Sequence, residues 1–173
     1  MTNIEIAWIF LEIADLLELQ SEDNFYKFRA YRKAAKTIKH LPTDINLLFK
    51  QGKLRGLPGI GTGIAENIGE LIKTGECEIH QELKKEIPIT LRELLAIPGL
   101  GPKRINLINK KLGVKTIEEL KKAAINKKLR NLPGIGSKTE INVLHGIDMI
   151  EQKNLEHIPI GMAMPIAKIV LHD

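Results

Sequence analysis

One short pattern occurs three times in this 173-residue chain: Leu57-Pro58-Gly59-Ile60-Gly61, Ile97-Pro98-Gly99-Leu100-Gly101 and Leu132-Pro133-Gly134-Ile135-Gly136. Each copy is aliphatic-Pro-Gly-aliphatic-Gly, and each precedes a stretch with helical signals. The first glycine permits a positive φ, and the second allows close approach of another backbone. The flanking aliphatic pairs (Leu57 with Ile60, Ile97 with Leu100, Leu132 with Ile135) suit plugs between two helices. What stays exposed is a set of bare N–H donors at a helix start, where intrahelical acceptors are lacking. Such a start is a ready anion site. The candidate phosphate contacts are therefore Gly59, Ile60, Gly61 and Gly63, then Gly99 and Gly101, then Gly134 and Gly136. Lys103 and Arg104 follow the second copy, and Ser137, Lys138 and Thr139 follow the third, as reinforcing side chains. After the first copy come Thr62 and Gly63, with no cation until Lys73.

Charge sharpens this reading. Residues 1–24 carry six acids (Glu5, Glu12, Asp15, Glu18, Glu22, Asp23) and no Lys or Arg. The rest of the chain holds all 26 basic residues against 15 acids, an excess of 11. So basic a segment attracts polyanions. No apolar run is long enough to span a bilayer and no signal peptide opens the chain, which fits a cytoplasmic, nucleoid-associated protein without a membrane partner. The single cysteine, Cys77, excludes an internal disulfide and reads as an ordinary semi-buried residue. The five histidines (His40, His80, His145, His157, His172) show no ligand spacing.

Helical signals dominate, so the expected class is all-α: two small helical subdomains built on helix-hairpin-helix motifs. Residues 3–19 read as an apolar helix beginning at Thr2 or Asn3, with Trp8, Leu11 and Leu17 as core candidates. Trp8 reads as core rather than a base-stacking platform because it sits in the acidic segment. Over 23–41 a second helix separates into two faces at roughly 100° per residue. Phe28, Tyr31, Ala34, Ala35 and Ile38 share one side. Arg29, Arg32, Lys33, Lys36 and His40 share the other, a face of one sign that favours an anionic partner. Thr43 or Asp44 caps a short helix ending at Gly52, and Gly75 stops a helix over Thr62–Thr74. Residues Glu76 to Glu86 read as partly helical. A boundary at Pro88 divides the chain into 1–87, 88–157 and an apolar tail, 158–173. Within the second part, Thr90–Ala96 and Pro102–Leu112 are helical, with Pro102 in the first turn and Gly113 as the stop. Thr116-Ile117-Glu118-Glu119 is a capping box, and a last helix begins at Ser137. The tail (Ile158, Ile160, Met162, Met164, Ile166, Ile169, Val170, Leu171) is either a helix packing back or the start of a further domain. Gly59, Gly99 and Gly134 are 40 and 35 residues apart, but the segments between them do not match beyond the pattern.

Gly59-Ile60-Gly61-Thr62-Gly63 has the look of a dinucleotide-binding glycine run, but no strand precedes it. A Walker-type loop is absent. Phe28-Arg29-Ala30-Tyr31-Arg32-Lys33-Ala34-Ala35, then Leu57 to Glu66, then Thr74-Gly75, resembles the N-terminal lyase-type domain of family X DNA polymerases. The second and third hairpins resemble the DNA-binding subdomain that follows it, three copies fitting the bacterial type, and Ile158-Pro159-Ile160-Gly161 resembles the entry to the polymerase palm. The resemblance implies sequence-nonspecific binding to gapped, nicked or double-stranded DNA, in DNA repair, with the first hairpin on the downstream strand and the second on the primer-side backbone.

It also implies a 5′-phosphate pocket containing Lys27 and Tyr31. The family's Schiff-base lysine falls on Asn67, a phosphate-binding lysine on Gly63 and a nearby histidine on Tyr26. An amide cannot form a Schiff base, so no catalytic residue is assigned. One alternative is a 5′-deoxyribose phosphate lyase that uses a substitute amine, Lys27 or Lys73. Another is an interaction scaffold working through the apolar tail. Binding needs no cofactor, but the resemblance implies a monovalent cation, Na+ or K+, at the hairpins. It would be held by the carbonyls of Arg55, Leu57 and Ile60 and of Leu95, Ile97 and Leu100. Mg2+ would belong only to a palm domain elsewhere, since the carboxylates for two-metal chemistry are not clustered here.

Overall fold

A computed structural model of the chain describes residues 1–156, and every regular element among them is helical. The α-helices are α1 (Asn3–Gln20), α2 (Phe25–Lys39), α3 (Ile45–Lys50), α4 (Thr62–Thr74), α5 (Glu78–Glu86), α6 (Ile89–Glu93), α7 (Pro102–Leu112), α8 (Ile117–Ile125) and α9 (Ser137–Glu156). The apolar tail expected over 158–173 lies outside the described residues.

Helix α1 is the spine. Its Ile6, Phe10, Ile13 and Leu17 are buried against the predicted apolar face of α2, whose Phe28, Tyr31, Ala34, Ala35 and Ile38 are all buried. Phe10 and Tyr31 meet edge to face with ring centroids 5.3 Å apart, the arrangement that suits aromatic quadrupoles. The expectation fails at Trp8 and Leu11, which are 65% and 39% exposed. Helix α1 is apolar on nearly every side, so periodicity could not choose its buried face; Ile4, Trp8 and Leu11 form the i, i+4, i+7 stripe left outside. Cys77 is fully buried rather than semi-buried, and burial pushes its thiol above the usual range.

Sequence-local chemistry sets the helix ends. Thr2 and Glu5 form a reciprocal capping box at α1, and Asp44 accepts from the Asn46 N–H at the start of α3. At α8 the Thr116 hydroxyl accepts from the Glu119 N–H, but the Glu119 carboxylate accepts from the Lys115 N–H, one residue before the position a capping box predicts. Gly75 and Gly113 terminate α4 and α7 in the left-handed conformation. The Glu76–Glu86 segment is helical from Glu78.

The part before Pro88 and the part after it meet through α1. The Asn106 side-chain amide donates to the Glu18 carbonyl at 2.9 Å; within the first part, the Gln20 amide donates to the Glu86 carboxylate. His80, buried on α5, pairs with Glu12 at 3.0 Å. Farther along, α9 backs the second hairpin: a Cβ on Gly146 would meet Pro98 Cδ at 3.0 Å and Ile97 Cγ2 at 3.1 Å.

Candidate nucleic-acid interface

The three hairpins are superimposable in their hydrogen bonding. In each, a one-turn 3-10 helix (Leu54–Gly56, Leu94–Ala96, Leu129–Asn131) leads into the Pro-Gly step. In each, the aliphatic residue after the first glycine donates its N–H to the aliphatic carbonyl three residues back: Ile60 to Leu57 at 3.2 Å, Leu100 to Ile97 at 3.1 Å, Ile135 to Leu132 at 3.1 Å. Gly59, Gly99 and Gly134 have φ of 77°, 81° and 78°, where a side chain would be strained. Ile60, Leu100 and Ile135 are buried in each case.

The second glycine behaves differently from expectation. Gly61 and Gly101 are extended, at φ −84° and −89°, a conformation any residue adopts. A Cβ on Gly61, Gly101 or Gly136 would meet nothing within 4 Å. No neighbouring backbone of this chain approaches them, so the protein's own packing does not require glycine there. Each opens on solvent at the start of α4, α7 or α9. The N-caps Gly61 and Gly101 supply no capping side chain, whereas Thr2, Asp44 and Thr116 cap α1, α3 and α8. Two hairpin helices thus forgo a capping side chain, which with glycine at the N-cap costs only roughly a few tenths of a kcal/mol, and present uncovered amides. Helix α7 presents one fewer than α4, because Pro102 at its first position has no N–H.

An arginine ties each hairpin, and sequence reasoning missed two of them. At the first, Arg55 donates to the Thr62 hydroxyl at 2.8 Å. At the third, the carboxylate of Glu140, 1% exposed, accepts from the Arg130 backbone N–H at 3.0 Å and from its guanidinium at 2.9 and 2.8 Å. At the second, Arg104 folds back to donate to the Gly99 carbonyl at 2.9 Å, so it stiffens its own hairpin as well as standing beside it. The signal was present: Leu54-Arg55-Gly56-Leu57 and Leu129-Arg130-Asn131-Leu132 extend the repeat backwards, and Leu54, Leu94 and Leu129 are all buried. The segments therefore do match beyond the five-residue pattern.

The cations sort into two groups. Lys27, Arg29, Lys33 and Lys36 on α2, Lys103 on α7 and Lys138 on α9 are exposed and make no ion pair among the described residues. Arg32 does not join them; it bridges Asp15 at 3.0 Å and Glu18 at 2.5 Å, clamping α2 to α1. Thr139 is half-buried. The α2 face runs directly onto the first hairpin. The Thr37 hydroxyl donates to the Pro58 carbonyl at 2.8 Å, and a Cβ on Gly59 would meet Lys33 Cγ at 2.9 Å, so the Lys33 stem lies over that glycine.

At the position where a lysine would be the lyase nucleophile, the Asn67 amide donates to the Tyr31 hydroxyl at 2.6 Å. Burial pushes the Tyr31 phenol up to about 12, leaving it a neutral hydrogen-bonding group. Asn67 thus completes a polar contact between α2 and α4. Lys73 lines a separate cleft of about 500 Å3 with Arg55 and Thr62, its ammonium 5.6 Å from the Phe49 ring centroid. Gly63 is exposed, and a Cβ there would meet nothing within 4 Å. Among the described residues no group of three or more His, Cys, Asp or Glu could hold a metal, and no helix is long and apolar enough to cross a membrane.

Comparison with known proteins agrees with this architecture. Residues 1–77 match the model of a helix-hairpin-helix domain, and residues 91–147 match that of a SAM-like helix-hairpin-helix tandem. The chain is 38% identical over 168 residues, 97% of its length, to the DNA polymerase/3′-5′ exonuclease PolX of Bacillus subtilis (strain 168). It spans 29% of that relative. With its paired helix-hairpin-helix units and this relative, the chain belongs to the family X DNA polymerases, of which it represents a helix-hairpin-helix region.

Proposed function

We propose that this region binds DNA without sequence preference by placing the uncovered amides of its three hairpins on backbone phosphates. The observation that carries the reading is the second glycine. Gly61, Gly101 and Gly136 meet no internal demand of conformation or packing, yet each keeps a helix N-terminus bare. A Cβ is missing where a phosphate would approach. Phosphate contacts position a protein on DNA and carry no sequence information. Lys103 and Lys138 add charge beside the second and third hairpins, and Lys33 and Lys36 add it beside the first.

Gapped or nicked DNA is the preferred form, in repair, with the first hairpin on the downstream strand and its 5′-phosphate near Lys27, and the second on the primer-side backbone. Such a region would hold DNA ends for polymerase chemistry in a palm domain, where Mg2+ would act. Support for a monovalent cation at the hairpin carbonyls is mixed: those of Arg55, Ile60, Leu95 and Leu100 accept no backbone hydrogen bond outside the helices, which leaves oxygen lone pairs for a hard cation, whereas those of Leu57 and Ile97 already accept from Ile60 and Leu100. Bound there, it would supply positive charge between carbonyl and phosphate. The lyase alternative has no comparable support, because Lys27 stands exposed on α2 and the Lys73 ammonium lies over the Phe49 ring in a separate cleft. Borohydride trapping on an abasic 5′ end is expected to give no adduct.

Binding of gapped and blunt duplexes across a salt series tests the reading. The logarithm of affinity should fall linearly with that of salt as counterions are released, and the gapped form should bind more tightly. Equal affinity at low and high salt would sink the proposal, and equal affinity for both forms would remove the gap preference.

A further inference from the structure

Two cavities adjoin where the halves of the chain meet. One, of about 610 Å3, is lined by Lys103, Lys110, Lys111 and Gly134; the other, of about 390 Å3, is lined by Phe25 and Phe28. Both share Glu22, Lys103 and Asn106, and the Asn106 bond to the Glu18 carbonyl fixes one wall to the other. We propose that this crevice is a seat for an unpaired nucleotide of single-stranded DNA, its base on Phe25 and its flanking phosphates on the lysines of α7. The proposal rests on the DNA-binding reading above and adds a strand form and a location to it.

Size, charge and an aromatic surface support it. A cavity of several hundred Å3 suits a nucleotide-sized group and excludes a duplex. Along α7, Lys103 and the Lys110–Lys111 pair are separated by roughly 10 Å at 1.5 Å per residue, which leaves room for one nucleotide between its two phosphates. Gly134 brings the third hairpin's backbone to the same opening. Phe25 is 45% exposed, and it is held edge to face by Tyr26 and by Phe28, each with centroids 5.6 Å away. The Arg29 guanidinium stands 5.0 Å from its centroid. A rigid exposed ring beside cations is how single strands are gripped without base readout, because every base has a π-face to stack. Two acids stand in the wall. Glu18 is neutralised by Arg32, whereas Glu22 makes no ion pair among the described residues, so it repels phosphate and confines the strand to the α7 side.

The experiment uses the whole chain, a short oligothymidylate carrying one 2-aminopurine, and a blunt duplex of the same length. Wild type should bind the single strand and quench the 2-aminopurine. Phe25→Ala should weaken single-strand binding about fivefold or more and relieve the quench, while duplex affinity stays within about twofold; Phe25→Trp should restore both signals, which separates stacking from folding. Lys110→Glu with Lys111→Glu should lower the single-strand-to-duplex affinity ratio, and Glu22→Gln should raise it. If Phe25→Ala leaves single-strand affinity and quench unchanged while the duplex still binds, the seat is refuted and the duplex reading survives. If wild type binds neither DNA, both are refuted.

Discussion

The first and second hairpins share backbone geometry and differ in how they obtain positive charge. The second carries its cations in line, Lys103 and Arg104 following Gly101 after Pro102. The first has Thr62 and Gly63 there, and its nearest lysine comes from another helix: the Lys33 stem on α2 lies over Gly59. The difference teaches that the motif itself is neutral scaffolding. It supplies a turn, a buried plug and open amides, and neighbouring elements decide how strongly each copy holds an anion. The third copy is intermediate, with Lys138 in line and its arginine held by buried Glu140.

The largest expected effect breaks the comparison at its strong end. Lys103→Ala with Arg104→Ala should weaken binding to all DNA sequences about equally, roughly tenfold or more, and lower the salt slope by about 2. Unequal losses among sequences, seen in a titration series, would indicate base readout instead. Next comes the third hairpin. Glu140→Ala leaves the Arg130 groups without their acceptor and should cost about 3 kcal/mol in a denaturant melt, whereas Thr62→Ala, which removes only the exposed acceptor of Arg55 at the first hairpin, should cost less than about 1 kcal/mol. Equal costs would remove the distinction between a buried and a surface tie.

A gain of function sharpens the weak end. Gly63 is in open space, so Gly63→Lys puts a cation in line after the first hairpin without a clash. Affinity should rise about threefold to tenfold and the salt slope by about 1, with little change in melting temperature. The smallest effect concerns pH. The hydrogen bond from His80 holds the Glu12 carboxyl below its usual 4.5, burial opposing. A carboxyl with a lowered native value stabilises fully above the unfolded value and loses that contribution as pH falls through the native one. Melting temperature should therefore decline below about pH 4.5, and Glu12→Gln should flatten part of that decline.

Much of this was legible in the sequence because it is local. The hairpins, the helix stops at Gly75 and Gly113, and the buried face of α2 all follow from spacing and turn chemistry. Trp8 and Leu11 were misjudged because α1 offers more apolar side chains than its neighbours can cover, and only tertiary packing selects among them. Arg32 and Arg104 looked like free cations because their partners, the Asp15 and Glu18 carboxylates and the Gly99 carbonyl, are fixed by geometry that charge counting does not see. The freedom around Gly61, Gly101 and Gly136 is equally invisible: sequence shows that glycine is present, and only the three-dimensional packing shows open space where its side chain would be.

Gly101→Ala is the most direct test of the claim that these glycines leave space for phosphate. Its melting temperature and its affinity for a gapped duplex should be measured together, beside Gly99→Ala. Gly101→Ala should lose less than about 1 kcal/mol of stability, the preference for Gly over Ala at an N-cap, since its φ is ordinary and its surroundings are empty, and should lose roughly tenfold in affinity. Gly99→Ala, strained at positive φ, should lose about 1–2 kcal/mol of stability. Undiminished DNA affinity in Gly101→Ala would contradict the account.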